Sequence, residues 1–155
     1  MPDNKPPIST FNHESLAVHE HLKMYQGIIT RMSKNSVSSK QWCVVLVSAI
    51  FALVAEKGKI EFAALAMLPL MLFAFIDTYY LAMERKFIDA NKAFLDKLEK
   101  SQVTASDLFR VIPERGKLPN AMWSAFASPA TYPFYLGLLF LIGIANYISV
   151  NGWIW

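Results

Sequence analysis

Three stretches of this chain are so apolar, and so free of charge, that a water-exposed helix of the same length is hard to build from them. No Asp, Glu, Lys or Arg occurs between Gln41 and Ala55 or from Tyr132 onward, and only Asp77 interrupts the stretch from Phe62 to Met83. A helix that is apolar on every side needs either the middle of a large protein or lipid around it. A chain of 155 residues is one domain's worth and builds no such large interior. The pattern therefore predicts an all-α membrane protein with three transmembrane helices. The apolar fraction of 54% and the mean hydropathy of +0.30 agree, against roughly 45–50% apolar for a soluble domain.

The expected organisation is a disordered N-terminal tail, 1–11, followed by a single helical membrane domain, 12–155. Within it the reading gives a cytoplasmic helix at 12–41, a first span at about 42–58 and a second at about 62–83. A cytoplasmic helix at 84–100, a linker at 101–128 and a third span at about 132–150 complete it. A crossing of ~30 Å takes ~20 residues, so the first span is marginal and the other two are adequate. The connection through Lys57, Gly58 and Lys59 is tight, which predicts a helical hairpin whose two helices continue inward as an antiparallel pair. The tail has prolines at 2, 6 and 7 and none of the features of a cleaved leader, so the first span is expected to act as its own insertion signal.

Thirteen of the fifteen lysines and arginines precede the first span or lie between the second and third; only Lys57 and Lys59 sit on the hairpin tip. Positive charge is retained on the cytoplasmic side, which places the N-terminus and the 84–128 linker inside and the C-terminus outside. Trp42, Tyr79, Tyr80, Trp153 and Trp155 read as interfacial anchors.

Asn12 is expected to cap the first helix, with Phe11 and Leu16 forming a hydrophobic staple. Leu22, Tyr25, Ile29 and Met32 form one stripe, and Phe87, Asn91, Phe94 and Leu98 another, each spaced for packing on a second helix. Ser106 is expected to cap a short helix through Ile112, Gly116 and Pro119 to mark turns, and residues 120–128 to form an interfacial helix.

Asp77 is the most informative single residue. A carboxylate in a membrane helix costs several kcal/mol near the bilayer centre and less near the interface, so it faces either a partner or water. Arg85, two turns along the same helix, and Lys40, at the start of the first span, are the candidate partners. Asp77, Thr78 and Asn146 are the candidate pore or intramembrane polar residues, and hydrating them would take symmetry-related copies of the chain. Pro69 is a candidate hinge through a kink near the middle of the second span. Gly137, Gly143 and Ala145 allow close helix approach, with Asn146 free to bond across the interface.

Arg31, Lys34, Lys40, Arg85 and Lys86 form a basic patch at the inner face. It suits anionic lipid heads or an anionic ligand such as a nucleotide. The single cysteine, Cys43, excludes an intrachain disulfide, and the three histidines, at 13, 19 and 21, show no metal-ligand spacing. No catalytic triad, phosphate-cradling glycine loop or acid/base pair is legible, so neither an enzyme nor a cofactor is expected.

The layout resembles a group of small helical membrane effectors of bacterial antiphage systems. The resemblance lies in the helix through Ile29, Arg31, Lys34 and Ser36, the short hairpin, the charged run Met83-Glu84-Arg85-Lys86-Phe87, and Tyr132-Pro133-Phe134-Tyr135 at the last span. The group is the SLATT-like two-span proteins, with Hailong-type effectors a closer likeness. The resemblance implies a homo-oligomeric pore, of four or more subunits, in the bacterial inner membrane. It also implies gating by a nucleotide or oligonucleotide made by a partner nucleotidyltransferase, and a role in abortive infection. The alternative reading is a non-conducting membrane anchor that recruits a soluble partner through its cytoplasmic helices.

Overall fold

In a computed structural model the described residues are 11–57, 64–113 and 115–150, and they contain five α-helices and no strand. The helices are α1 (Leu16–Lys57), α2 (Met67–Glu99), α3 (Ala105–Leu108), α4 (Leu118–Phe126) and α5 (Tyr132–Val150). The 1–10 tail, the 58–63 connection and the anchors Trp153 and Trp155 lie outside the described residues. Two helical stretches, Leu16–Glu56 and Ala64–Glu99, are long and apolar enough to cross a membrane. The apolar part of α5, Tyr132–Ile148, is shorter, about 25 Å at 1.5 Å per residue. Membrane-compatible length is thus shown for two helices rather than three.

No proline occurs between Pro7 and Pro69, so nothing breaks the hydrogen-bond ladder of α1. The helix begins one turn later than the Asn12 cap would place it. Asn12 instead closes a preceding turn: its Oδ1 accepts from Ser15 Oγ at 3.0 Å and from the Glu14 amide at 3.2 Å. Leu16 stays 75% exposed, so the expected staple with Phe11 does not form.

Pro69 is the third residue of α2, immediately after a 3₁₀ turn at 64–66. The mid-span kink expected there is therefore not what it provides. In a first turn the missing N–H costs no intrahelical bond, and the fixed φ favours helix entry. Pro119 likewise lies in the first turn of α4, where a turn was expected, and moves that helix start to Leu118. The short helix of the linker is α3, preceded by Thr104 and not Ser106.

At its C-terminus α2 ends in a Schellman motif. The Gln102 amide reaches the Lys97 carbonyl at 2.9 Å and the Ser101 amide reaches Leu98 at 3.0 Å. Ser101 takes the left-handed position of that motif, with φ 53°, which glycine normally fills.

The chain divides into two compact units. The first takes Met1–Arg31 and Met83–Gly116; the second takes Met32–Ala82 and Lys117–Trp155. The core of the first joins Val18 and Tyr25 of α1 to Phe87, Ala90, Phe94 and Leu98 of α2, with Val103 and Leu108 closing it. The α2 stripe read from the sequence supplies three of these, Phe87, Phe94 and Leu98. Its fourth member, Asn91, is half-buried beside them, its Oδ1 without a hydrogen-bond partner. On α1 the buried face runs through Val18, His21 and Tyr25, with Leu22 and Ile29 partly covered.

The second unit packs α1, α2 and α5 through Cys43, Val47, Leu70, Tyr135 and Ile142. Its outer surface is apolar: Trp42 is 60% exposed, Met71 68%, Phe75 64% and Phe140 69%. Water would penalise such a surface and lipid tails would not.

Candidate functional site

A charged cluster lies inside this second, apolar unit. Asp77 of α2 is fully buried. Its Oδ1 accepts from Ser36 Oγ at 2.5 Å and from Lys40 Nζ at 2.8 Å. Lys40 Nζ is also 2.6 Å from Oδ2, an oxygen with no donor in hydrogen-bond alignment. The ammonium therefore straddles the carboxylate and holds it mainly by charge. Ser36 and Lys40 stand four residues apart on α1, on one face, so one helical turn supplies both donors. A contact at 3.3 Å from Lys40 Nζ to Ser36 Oγ closes the triangle.

The surroundings of the cluster are apolar or already bonded. Cys43, one turn on from Ser39, is buried, and Tyr135 of α5 is close enough to feel the Asp77 charge. The Tyr135 hydroxyl donates to the Phe73 carbonyl at 3.1 Å. Ser39 Oγ bonds back to the Asn35 carbonyl at 2.8 Å. Taking two ions out of water costs several kcal/mol each, and good pair geometry recovers most of it without a surplus. An apolar pair would hold these helices at least as well, so packing alone does not account for the ions.

The other polar residues singled out in the sequence are placed differently. Thr78 is buried, and its hydroxyl donates to the Ala74 carbonyl at 2.6 Å. Asn146 was expected to bond across a helix interface; instead its Nδ2 donates to Ile142 of its own helix at 3.0 Å. Both side chains are satisfied locally, as Ser, Thr and Asn can be inside a helix. Asp77 likewise has its charge partner, Lys40, within the same chain.

The five basic residues do not come together as one patch within either unit. Arg31, Arg85 and Lys86 belong to the first and Lys34 and Lys40 to the second. Arg31 and Lys34 are exposed. Lys40 is committed to Asp77, and Lys86 Nζ donates to the Gly116 carbonyl at 2.9 Å.

Sequence reasoning missed Ser36 and His21. The only sequence signal for Ser36 is its i,i+4 spacing to Lys40. His21 is 1% exposed, edge-on to Tyr25 with ring centroids 5.0 Å apart and tilted against Phe94 at 4.4 Å. Its Nδ1 lies 3.1 Å from the Leu108 carbonyl. A carbonyl only accepts, so that nitrogen carries the proton. Nε2 is buried with no partner. Burial holds the His21 pKa below its ordinary value, more strongly than the Leu108 carbonyl and the Asp107 charge raise it.

Asp107 is the opposite case. Its carboxylate accepts from the Thr104 amide at 3.0 Å, the Thr104 hydroxyl at 2.7 Å and Lys97 Nζ at 3.0 Å. With the Thr104 amide bond the largest cause, its pKa is held down at about 2. Among the described residues no His, Cys, Asp and Glu gather as metal ligands. No protein-family model, curated protein or solved structure matches this chain.

Proposed function

We propose that this protein is a membrane-embedded channel: three apolar helices, including α5, assemble with copies of themselves around a path for ions. The observation that carries the reading is the Lys40–Asp77–Ser36 cluster, an ion pair among otherwise apolar helices whose carboxylate is fully buried and whose ammonium side chain is 20% exposed. Such a pair adds little net stability, yet it has two arrangements of very different polarity. Closed, its charges cancel with the carboxylate out of contact with water. Separated, the carboxylate and the ammonium would each demand hydration, and the unit would have to admit it. On this reading the pair is the lock of the closed state.

The basic excess before the first span and in the 84–128 linker supports a cytoplasmic placement for both, with the C-terminus outside. The likeness to antiphage effectors extends the proposal to a bacterial inner-membrane protein of abortive infection, opened or closed by a small signal. The channel reading is tested in planar bilayers with purified full-length protein. Asp77→Asn and Lys40→Met should each raise the open probability, and the wild-type chain should conduct less. No conductance from any of the three, in protein shown to be folded, leaves the anchor reading instead. That second reading is favoured by one observation: the first unit has its own closed aromatic core, as a recruitment module would.

A further inference from the structure

The first unit contains a cleft of about 360 Å³ that neither the ion pair nor the apolar surfaces explain. Its floor is apolar and aromatic, made by Tyr25, Ala90, Ala93 and Phe94. Its rim carries Lys97, Arg110 and Arg115, with Ser106 and a single acid, Asp107. None of these three cations belonged to the basic patch read from the sequence, and no member of that patch lines the cleft.

The segment that supplies the rim is tied down at several points. Val103 and Leu108 are buried in the core, and the Leu108 carbonyl is held by His21. Asp107 is bound to Lys97, and Lys86 fixes the Gly116 carbonyl beside Arg115. The two arginines are therefore delivered to the cleft by a backbone that is already ordered. Among the described residues neither Arg110 nor Arg115 takes part in an ion pair. Asp107 is occupied by Thr104 and Lys97 and offers them no partner.

Two guanidinium groups with no ion pair among the described residues, over a floor able to take a ring, have a definite chemical preference. Each guanidinium presents two parallel N–H donors that match two oxygens of a phosphate. Among the described lining residues the rim has two more cations than acids, which balances the two charges of a phosphomonoester better than the single charge of a carboxylate. The geometry points to a binding site for a phosphomonoester that carries a planar or apolar group, with Arg110 and Arg115 gripping the phosphate and the Tyr25–Phe94 floor taking the organic part. The site stands apart from the channel reading: it can bind whether or not the second unit conducts.

The test uses the full-length protein in nanodiscs of phosphatidylcholine, with phenyl phosphate as the probe and titration calorimetry as the readout. Saturable binding is expected, with inorganic phosphate weaker by roughly ten-fold or more because it leaves the floor uncovered. Arg110→Gln and Arg115→Gln should each weaken phenyl phosphate by roughly ten-fold or more. Both residues are exposed, so folding should survive, and Lys23→Gln, outside the cleft, should change nothing. In discs containing phosphatidic acid, whose headgroup is a phosphomonoester, competition against phenyl phosphate would identify lipid headgroups as the source of the phosphate; undiminished binding would identify a soluble ligand. The proposal is overturned if phenol binds as well as phenyl phosphate, if both arginine variants bind like the wild type, or if no saturable binding occurs. Binding that persists in a protein without conductance would overturn the channel and leave this site standing.

Discussion

The two units handle polarity in opposite ways. In the first, charge sits at the surface and at helix ends: Asp107 in the first turn of α3, Lys97 in the last turn of α2, and Glu20 with Lys23 at 2.6 Å on the exposed face of α1. His21 is deeply buried there, and burial lowers its pKa. In the second an ion pair lies inside and many large apolar side chains are outside, although Lys34 and Glu56 are exposed as well. Lys40 and Asp77 are paired in the core, while Trp42, Met71, Phe75 and Phe140 face outward. The apolar outside of the second unit is compatible with a membrane. A protein in water minimises exposed apolar area and leaves its ions hydrated; in hydrocarbon an ion is safest inside and paired.

The largest expected effect breaks the second half of that comparison. Lys40→Met or Asp77→Asn should each destabilise the second unit by about 3–5 kcal/mol, because each leaves a buried partner uncompensated. The double variant Lys40→Met with Asp77→Leu should return to within about 1 kcal/mol of the wild type or exceed it. Denaturant unfolding in micelles measures all of these in one double-mutant cycle. If the single variants cost nothing, the pair is hydrated and the inside-out description fails.

The next prediction concerns the first unit and pH. The pKa of His21 is lowered on folding, so its neutral form is the folded one. The stability it contributes is complete above the unfolded value near 6.5 and declines as pH falls through the lower folded value. Asp107, whose charge raises the His21 pKa, is held at about 2 and stays ionised in that window, with Lys97 at 3.0 Å from its carboxylate. Protection factors of the amides around Leu108, taken against the intrinsic exchange rate at each pH, should therefore fall from pH 7 to pH 5, and His21→Phe should flatten that dependence. Exchange in the second unit should show no matching change; if it does, the two units are not separate in this respect.

The smallest effect sharpens the account of the first unit's boundary. Ser101→Gly should stabilise it by about 1 kcal/mol, since it removes the left-handed penalty at the end of α2 while keeping the two Schellman bonds. Thermal unfolding would show the gain, and a loss would mean that the Ser101 side chain contributes a contact that outweighs the strain.

Much of this architecture is visible in the one-dimensional pattern. Helix α5, Tyr132–Val150, coincides with the charge-free stretch read from the sequence, although its apolar part is shorter than those of α1 and α2. The Phe87, Phe94 and Leu98 stripe is legible because its spacing of seven and four places it on one helical face. Positional detail was less legible. Pro69 and Pro119 look like a kink and a turn by residue type, and only the observed helix starts show them to be first-turn residues. His21 was passed over because histidine is usually solvated, and its burial depends on Tyr25, Phe94 and a carbonyl 87 residues away.

The sequence by itself determined that the chain is helical, that α1 and α2 are apolar over a membrane's thickness, and that Asp77 is out of place unless something meets it. These follow from local composition and period, which need no knowledge of neighbours. Only the tertiary structure decided what meets it. Lys40 is 37 residues from Asp77 and Ser36 is 41, and Arg85 was an equally reasonable partner along the chain. Tertiary structure also gathered Arg110 and Arg115 over an aromatic floor while dividing the patch of Arg31, Lys34, Lys40, Arg85 and Lys86 between two units. Coulomb attraction acts through space and falls with distance, so a list of charges in order along a chain cannot say which of them will be neighbours.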